Sequence, residues 1–418
     1  MKADSLGGRF AAWTITVAVG WLSACEVCAA SGLVPTGVQE SVRAASPSTA
    51  SLTASLEQAL AEGQRAKARE ILDQLLQRPQ VDADQLLAVG VRFAQQELYS
   101  EASQAFARCT RDHPELFEAH YNLALADLAL QRLPEAFASI AEATPQYAEQ
   151  QFAKRYLRGK IEAALGSLRE AEIDLGAAFT QEPQEENYAL DLGTLYLRQG
   201  SYSSAAGVFE KGARYNPRSP YLWLGFSVAS FQEGKYSQCL LASRHLLALQ
   251  PEFSPARLLT AFVLDIQGKL AEAEKMAAEG LTASTPDPYL YYLDASLLLK
   301  LDSTEYERML REVALAARGI PACSLCSLAQ SRVHQAQGNF AAAITDLERA
   351  VNIDPEFSDA WYRLASLYMR LGRNEDATRA RARFEKLKAE KEDREADMLR
   401  RVFLQTLSGE GSEVRSSH

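Results

Sequence analysis

The chain has 418 residues, of which 47% are hydrophobic and 23% are charged, and it contains only 15 prolines. This composition supports a large apolar core and excludes a chain that is disordered throughout. The formal net charge of -10 and the pI near 5.3 argue against a phosphate-binding surface, so nucleic acid is not an expected partner. Six cysteines are too few for a disulfide framework in a chain of this length. We therefore expect a protein held together by apolar packing.

The amino terminus resembles an export signal. Lys2 and Arg9 precede an uncharged run from Phe10 to Ala24. This run is shorter than the ~20 residues that a helix needs to span a hydrocarbon core. Residues 1–24 are therefore predicted to be a signal peptide, and an uncleaved anchor helix is the alternative.

The residues after this run allow two cleavage products. Residues 22–25 read LSAC and resemble the bacterial lipoprotein signal, in which an aliphatic and two small residues precede a cysteine. The resemblance implies that Cys25 is the lipid attachment site, because several acyl chains on one residue hold a protein firmly to a membrane. The small residues of VCAA at 27–30 instead allow cleavage after Ala29 or Ala30, with a soluble periplasmic or secreted product. Residues 25–51 lack any period and are predicted to form a flexible tether.

The rest of the chain is dominated by one internal repeat. Glycines recur every 34 residues from residue 166 to residue 268, and two more lie 34 apart at residues 338 and 372. A small residue follows each glycine by five positions, and a proline follows four of them by 17. Between these columns, apolar residues at three- and four-residue spacing predict two amphipathic helices per unit. The glycine can end the first helix, the small residue lets the second helix approach it, and the proline stops the second.

Two units show a family resemblance most clearly. Residues 187–217 read NYALDLGTLYLRQGSYSSAAGVFEKGARYNP and residues 358–381 read SDAWYRLASLYMRLGRNEDATRAR. Their large, small, aromatic and turn residues stand where the tetratricopeptide repeat has them, so the chain resembles a tetratricopeptide repeat protein. Clear units begin near Ala83, Phe117, Phe152, Glu186, Pro220, Ser254, Ser324 and Ser358.

This resemblance implies an all-α fold. We expect a right-handed superhelical solenoid of about ten helix hairpins over residues 52–384, followed by a charged capping helix at 385–407 and a disordered tail at 408–418. A coiled-coil segment that binds a partner is the alternative for the capping helix. Residues 287–323 lack the turn glycine and the small column, so they are predicted to form an irregular unit. That unit either bends the array or contains neutral loop changes.

The sequence contains few signals of catalysis. It has no glycine-rich phosphate loop and no histidine pair at metal spacing, so we expect no enzyme, no metal and no cofactor. Cys109 and Cys239 occupy positions that favour small apolar residues and are predicted to be buried thiols. Cys323 and Cys326 form a Cys-x-x-Cys motif at a predicted helix start. We expect a local disulfide there, and an exported thiol-disulfide protein is the alternative.

Binding is the function that remains. In this family the first helices line a concave groove, and the spacing predicts seven partner-binding residues there, namely Tyr121, Tyr156, Leu190, Arg198, Tyr221, Phe231 and Phe262. About half of the candidate positions are expected to pack in the core. Family members that hold the carboxyl end of chaperones use paired Lys and Asn, whereas the corresponding positions here are Asp84, Ala88, Glu118, Asn122, Ala153 and Leu157. The sequence thus predicts a non-catalytic scaffold of the bacterial cell envelope that binds proteins or peptides, and an envelope assembly or secretion factor is a variant of it.

Overall fold

The computed structural model describes residues 48–283 and 286–387, together with Phe403. Every regular element in these ranges is an α-helix, which confirms the all-α prediction. The predicted signal peptide, Cys25 and the disordered tail lie outside the described residues, as does most of the tether. Most of the predicted capping helix also lies outside them, but Phe403 within it is helical and fully buried. None of the helices in the described part is long and apolar enough to cross a membrane.

The chain divides into two compact units, residues 1–180 and residues 181–418. The described part of the first unit consists of four consecutive helix pairs. These are α1 Thr49–Ala61 with α2 Arg65–Leu76, α3 Ala83–Gln95 with α4 Tyr99–Asp112, α5 Phe117–Ala129 with α6 Leu133–Glu142, and α7 Ala148–Leu165 with α8 Leu168–Gln181. The first helix begins at Thr49, slightly before the predicted end of the tether.

The second unit contains six helix pairs within its described residues. These are α9 Glu186–Arg198 with α10 Tyr202–Tyr215, α11 Pro220–Gln232 with α12 Tyr236–Leu249, α13 Ser254–Ile266 with α14 Leu270–Gly280, α15 Pro288–Lys300 with α16 Tyr306–Gly319, α17 Ser324–Ala336 with α18 Phe340–Ile353, and α19 Ser358–Arg370 with α20 Asn374–Leu387. Within each unit, successive helices pack in sequence order, and most successive first helices, up to α15 and α17, also touch one another.

The turns between paired helices share one backbone conformation. All the turn glycines that the repeat predicts have positive φ, between 69° at Gly63 and 86° at Gly166. In three pairs without a turn glycine, Glu97, Gln131 and Asp302 adopt the same left-handed conformation, with φ of 59°, 57° and 52°. The turn therefore survives without glycine, at the steric cost of a Cβ in this region.

The unit that the sequence marks as irregular, at 287–323, contains an ordinary helix pair. Helices α15 and α16 have 13 and 14 residues, the same lengths as α9 and α10. Asp302 makes the turn 34 residues after Gly268, and Ala322 has a φ of 48° in the connection to α17. The departure from the 34-residue period thus lies in that connection.

The other departure from the repeat lies at α6 and α7. Helix α6 has only 10 residues and ends at Glu142, three residues before Pro145, which cannot continue a helix. Helix α7 has 18 residues and begins at Ala148 rather than near the predicted Phe152. The following unit is therefore longer at its amino-terminal end.

Small residues allow the helices to approach closely. The Phe209 side chain of α10 is fully buried between Gly193 of α9 and Gly225 of α11. A Cβ built on these glycines would lie 2.5 Å and 2.4 Å from the Phe209 ring, closer than real Cβ atoms approach other heavy atoms. The small column of second helices, which includes Ala205 and Cys239, is also buried. Glycine at these positions is required by packing rather than by a turn.

A recurring hydrogen bond links neighbouring pairs. The indole Nε1 of Trp223 donates to the carbonyl of Pro217 at 2.9 Å, and that of Trp361 donates to the carbonyl of Pro355 at 2.9 Å. In each case the proline follows a second helix, and the tryptophan lies six residues later on the next first helix. These bonds satisfy carbonyls that the ended helices leave without a partner.

Candidate functional site

The structure buries several residues that were predicted to contact partners. Tyr121 and Tyr156 in the first unit are 3% and 8% exposed, and Phe231 and Phe262 in the second are 8% and 4% exposed. Side chains this enclosed cannot present a surface to a partner. For these four positions the expected groove exposure is corrected to a packing role.

Aromatic contacts account for this burial. Phe117 stacks on Tyr121 with ring centroids 5.6 Å apart, and Phe231 meets Phe262 edge to face at 5.7 Å. The ammonium of Lys160 lies 5.4 Å from the Tyr156 ring centroid. Such contacts between successive turns and helices are worth about 0.5–1.5 kcal/mol beyond the area they bury.

Three first helices in the middle of the second unit are buried on nearly every side through their middle turns. Helix α11 is buried continuously from Leu224 to Phe231, α13 from Leu258 to Leu264, and α15 from Tyr292 to Leu298. Ser227 on α11 is fully buried too, and its hydroxyl lies 2.6 Å from that of Ser243. A helix without a polar face is a core helix. The middle of the second unit therefore offers little surface for recognition on its first helices.

The first helices near the two ends of the second unit are more open. On α9, Leu190 is half-buried and Arg198 is exposed. On α19, Tyr362 is 56% exposed, Met369 is 63% exposed and Ser366 between them is also exposed. Tyr362 and Ser366 have the same offsets from Gly372 that Leu190 and Thr194 have from Gly200. We call the exposed residues Tyr362, Ser366 and Met369 the α19 face.

Tyr221 lies at a separate concavity. It is half-buried, its ring meets that of Phe253 at 6.5 Å, and it lines an open surface pocket of about 430 Å³. The pocket is formed by the turn from α10 to α11 with Glu186, which accepts a 2.6 Å hydrogen bond from the Ser219 hydroxyl. Tyr221 is thus separated from the α19 face by several helix pairs.

The two cysteines of the Cys-x-x-Cys motif are joined. A disulfide links Cys323 and Cys326 at the start of α17, with their Cα atoms 5.2 Å apart. The residues are only 9% and 1% exposed. Because a thiol-exchange centre needs an accessible sulfur, this burial favours a structural link over redox chemistry.

Arg308 of α16 is the centre of a cluster of acidic side chains. Its Nη2 donates to Asp294 at 2.6 Å and to Glu274 at 3.5 Å, its Nε donates to Glu312 at 2.9 Å, and its Nη1 donates to Glu305 at 3.4 Å. Asp294 is fully buried. Burial, a hydrogen bond to Glu312 and the Glu312 charge raise the pKa of Asp294 to about 7. Asp294 is therefore protonated over much of the acidic range.

Comparisons with known families agree with this architecture. Two family models, each described as a tetratricopeptide repeat, match residues 334–401 and residues 87–151 and 190–238. These matches fall on helix pairs with the turns and close contacts described above. This chain is a tetratricopeptide repeat protein.

Individual relatives of this tetratricopeptide repeat protein are distant. Superkiller complex protein 3 of Mus musculus is 32% identical over 101 residues, which is 24% of this chain and 6% of that protein. The human protein of the same name matches equally over the same length. The match thus spans a small fraction of these curated relatives.

Two solved structures are similar in fold. A tetratricopeptide repeat protein from Parabacteroides merdae is 19% identical, with a TM-score of 0.45, covering 60% of this chain and 98% of that one. The Cut9–Hcn1 hetero-tetramer of the APC/C matches with 11% identity and a TM-score of 0.45, covering 86% of this chain and 96% of that one.

The tetratricopeptide repeats contain little reactive chemistry in their described residues. Burial raises the pKa of the Cys109 and Cys239 thiols to about 11, so both are protonated at neutral pH, and both are buried as predicted. In residues 48–283 and 286–387, no three His, Cys, Asp or Glu side chains are grouped so that they could hold a metal ion. The His334 Nδ1 contacts the buried Asp346 at 2.7 Å, which ties α17 to α18.

Sequence reasoning missed two features of these repeats. The α19 face could have been found by carrying the offsets of Leu190 and Thr194 from their turn glycine to Gly372. The buried carboxyl pair had a weaker signal, because Asp294 is the lone acid in the apolar run PYLYYLDASLLLK. Its partners on α16 could only be known once the helices were placed.

Proposed function

We propose that this protein is a non-catalytic scaffold that binds protein partners through the exposed face of α19, the first helix of the last described pair. Tetratricopeptide repeats suit protein–protein interaction because each helix pair adds surface without adding chemistry. The observation that carries the proposal is the α19 face, where Tyr362 and Met369 are more than half exposed on a rigid helix. Large apolar side chains on a well-packed element are typical anchors for a partner peptide or helix.

The scaffold is further proposed to be exported and tethered to a membrane of the bacterial envelope by lipid at Cys25. The sequence before residue 48 supports this through its short apolar run and the LSAC motif. The disulfide between Cys323 and Cys326 also supports an oxidising compartment. The net charge of -10 supports protein rather than nucleic-acid partners.

The binding role is tested by alanine substitution on the α19 face. Proteins that co-purify with the wild-type chain are quantified beside those retained by a Tyr362→Ala/Met369→Ala variant. Leu241→Ala is the matched control, because Leu241 is 68% exposed on α12, away from this face. The proposal expects the double variant to lose specific partners that the control retains. Equal retention by all three proteins would contradict it.

The tether is tested separately by Cys25→Ser. Loss of the lipid should move the protein from the membrane fraction to the soluble fraction, while the circular dichroism spectrum stays unchanged. A variant that still sediments with membranes after a carbonate wash would rule out the lipid assignment.

A further inference from the structure

The acidic cluster around Arg308 contains more carboxylates than cations. The side chains of Asp294, Glu312, Glu305 and Glu274 all contact this one guanidinium. Water can stabilise Glu305 and Glu274, whose side chains are 55% and 23% exposed. Asp294 is fully buried and Glu312 is nearly so. Two carboxyl groups that are removed from water therefore depend on a single arginine.

The other ion-paired buried aspartates have more positive charge around them. Asp174, in the first unit, is contacted by Arg155 at 3.1 Å and by Arg158 at 2.6 Å. Asp346, in the second unit, is contacted by two basic side chains as well, since His334 lies at 2.7 Å and Arg349 at 3.0 Å. The surroundings of Asp294 thus differ from those of these two aspartates.

Hydrogen bonding in the pair requires a proton. Arg308 donates to Oδ2 of Asp294 and to Oε1 of Glu312. The other two oxygens, Oδ1 and Oε2, are buried and accept no hydrogen bond from any donor in the described residues. The two carboxyl groups hydrogen-bond to each other, and because ionised carboxylates only accept, one of them must carry a proton. Burial raises the pKa of Asp294 to about 7, which assigns the proton to Asp294.

The other helices packed on α15 provide no second cation for Asp294. Helices α13, α14 and α17 contact α15. The charges that shift the pKa of Asp294 are those of Glu312 and Arg308. Most of the other charged side chains on these helices and on α16 are exposed or have other partners. The exposed ones are Glu272, Lys275, Glu307, Arg311 and Arg318, and the paired ones are Arg257 with Glu279, Asp265 with Lys300, and His334 with Asp346. Arg332 of α17 is half-buried.

We propose that Asp294 and Glu312 form a pH-sensitive clasp, which holds α15 against α16 in acid and loosens this helix pair as the pH rises. Loss of the proton replaces the hydrogen bond by repulsion between two buried carboxylates, and Arg308 already donates to both. Opening of the pair would expose the apolar cluster that α15 and α16 bury together, which includes Tyr292, Met309 and Val313.

The pH range follows from the direction of the pKa change. Asp294 has its ordinary pKa of 3.8 when the pair is open and a pKa of about 7 when it is closed. The stability from the clasp is therefore complete below pH 3.8 and is lost as the pH rises through 7. Between these values the ratio of open to closed pairs rises about tenfold for each pH unit.

Hydrogen exchange of the full chain, read by mass spectrometry at pH 5, 6 and 7, measures the opening of α15 and α16. Peptides from α19 and α20 are the internal reference. Asp294→Asn and Glu312→Gln are the test variants, because an amide donates the hydrogen bond without a titrating proton. Glu305→Gln is the matched control, since Glu305 belongs to the same cluster but is more than half exposed. Comparison of variants at one pH removes the intrinsic pH dependence of exchange.

We expect the opening of α15 and α16 in the wild type to increase about tenfold or more from pH 5 to pH 7. Asp294→Asn should lose most of this increase, and Glu312→Gln gives the same test if Asp294→Asn does not fold. Glu305→Gln should behave as the wild type does. An equal increase in both test variants, an equal increase in α19 and α20, or a flat wild-type profile overturns the clasp. Flattening by Glu305→Gln also overturns it, because the effect would then belong to the acidic surface. The clasp does not depend on partner binding, so its failure leaves the proposed scaffold unaffected.

Discussion

The Gly225→Ala substitution tests the packing that holds successive helix pairs together. The Phe209 ring is fully buried against Gly193 on one side and Gly225 on the other. A Cβ at Gly225 would lie 2.4 Å from the ring, and the ring cannot retreat because Gly193 approaches it equally closely. Overpacking of this kind costs about 1–3 kcal/mol, and alanine recovers about 0.5–1 kcal/mol of helix propensity. We expect a net destabilisation of about 1–2 kcal/mol.

Gly207→Ala is the matched control for this change. Gly207 lies on α10, is exposed, and a Cβ there would meet nothing within 4 Å. The same chemical change should therefore stabilise the chain by about 0.5–1 kcal/mol through helix propensity alone. The two alanine variants should therefore lie on opposite sides of the wild type and differ in free energy of unfolding by about 1.5–3 kcal/mol.

Urea unfolding followed by circular dichroism measures both variants. Long repeat arrays need not unfold in one step, so the midpoints are compared only if the slopes agree. A Gly225→Ala/Phe209→Leu double variant adds a test, because a smaller side chain makes room for the new methyl group and the two effects should not be additive. If Gly225→Ala is as stable as Gly207→Ala, the Phe209 ring is not confined by the two glycines and the reasoning fails.

Three further measurements probe the turns, the buried acids and the disulfide. Gln131→Gly should stabilise the chain by about 0.5–1 kcal/mol in urea unfolding, because Gln131 has a φ of 57°, where a Cβ costs about 1–2 kcal/mol and glycine gives back part of this through the entropy of the unfolded chain; a decrease would show that the Gln131 side chain matters more than its backbone. The pKa of Asp294 is raised from 3.8 to about 7, so its contribution to stability is complete below pH 3.8 and is lost as the pH rises through 7; the urea midpoint of Asp294→Asn should vary less between pH 4 and pH 7 than that of the wild type, and an equal variation would contradict the raised pKa. The disulfide between Cys323 and Cys326 closes only a short loop, so replacing both cysteines by serine should lower the free energy of unfolding by less than the ~3 kcal/mol expected for a 15-residue loop. Loss of most of the amplitude of the thermal unfolding transition would show a larger role.

Features that depend on one unit of sequence could be predicted. The turn glycines have positive φ, the column that contains Ala205 is buried, and Pro145 accompanies a shortened α6, because each follows from the conformational limits of one residue or one helix contact. The turn at Asp302 could not be predicted from composition. An aspartate adopts the left-handed conformation only when the packing of both helices compensates for the strain.

Exposure was the harder quantity to predict. Leu224 and Leu258 have the same offset from their turn glycines that Tyr362 has from Gly372, yet the first two are at most 1% exposed and the third is 56% exposed. The difference comes from the neighbouring first helices, since α11 and α13 are packed between others of their kind whereas α19 begins the last described pair of the unit. Helical spacing determines on which face of its own helix a side chain lies, but it does not show whether a neighbouring helix covers that face.

Within the second unit, substitutions on buried first helices and on the exposed face of α19 should affect the stability of the fold differently. Phe231 contacts Phe262 and Tyr236, so its loss removes buried area from two helix pairs at once. A buried Phe→Ala change costs about 3–5 kcal/mol, and at Phe231 any loss of binding would accompany loss of structure. Met369 is 63% exposed, so its truncation removes little buried area and should leave stability nearly unchanged. Under the proposed function, partner affinity would therefore change at α19 without loss of the fold, whereas Phe231 on α11 is constrained by its neighbours. This asymmetry follows from the burial of α11, α13 and α15 through their middle turns, which leaves α19 the more open first helix among the described residues.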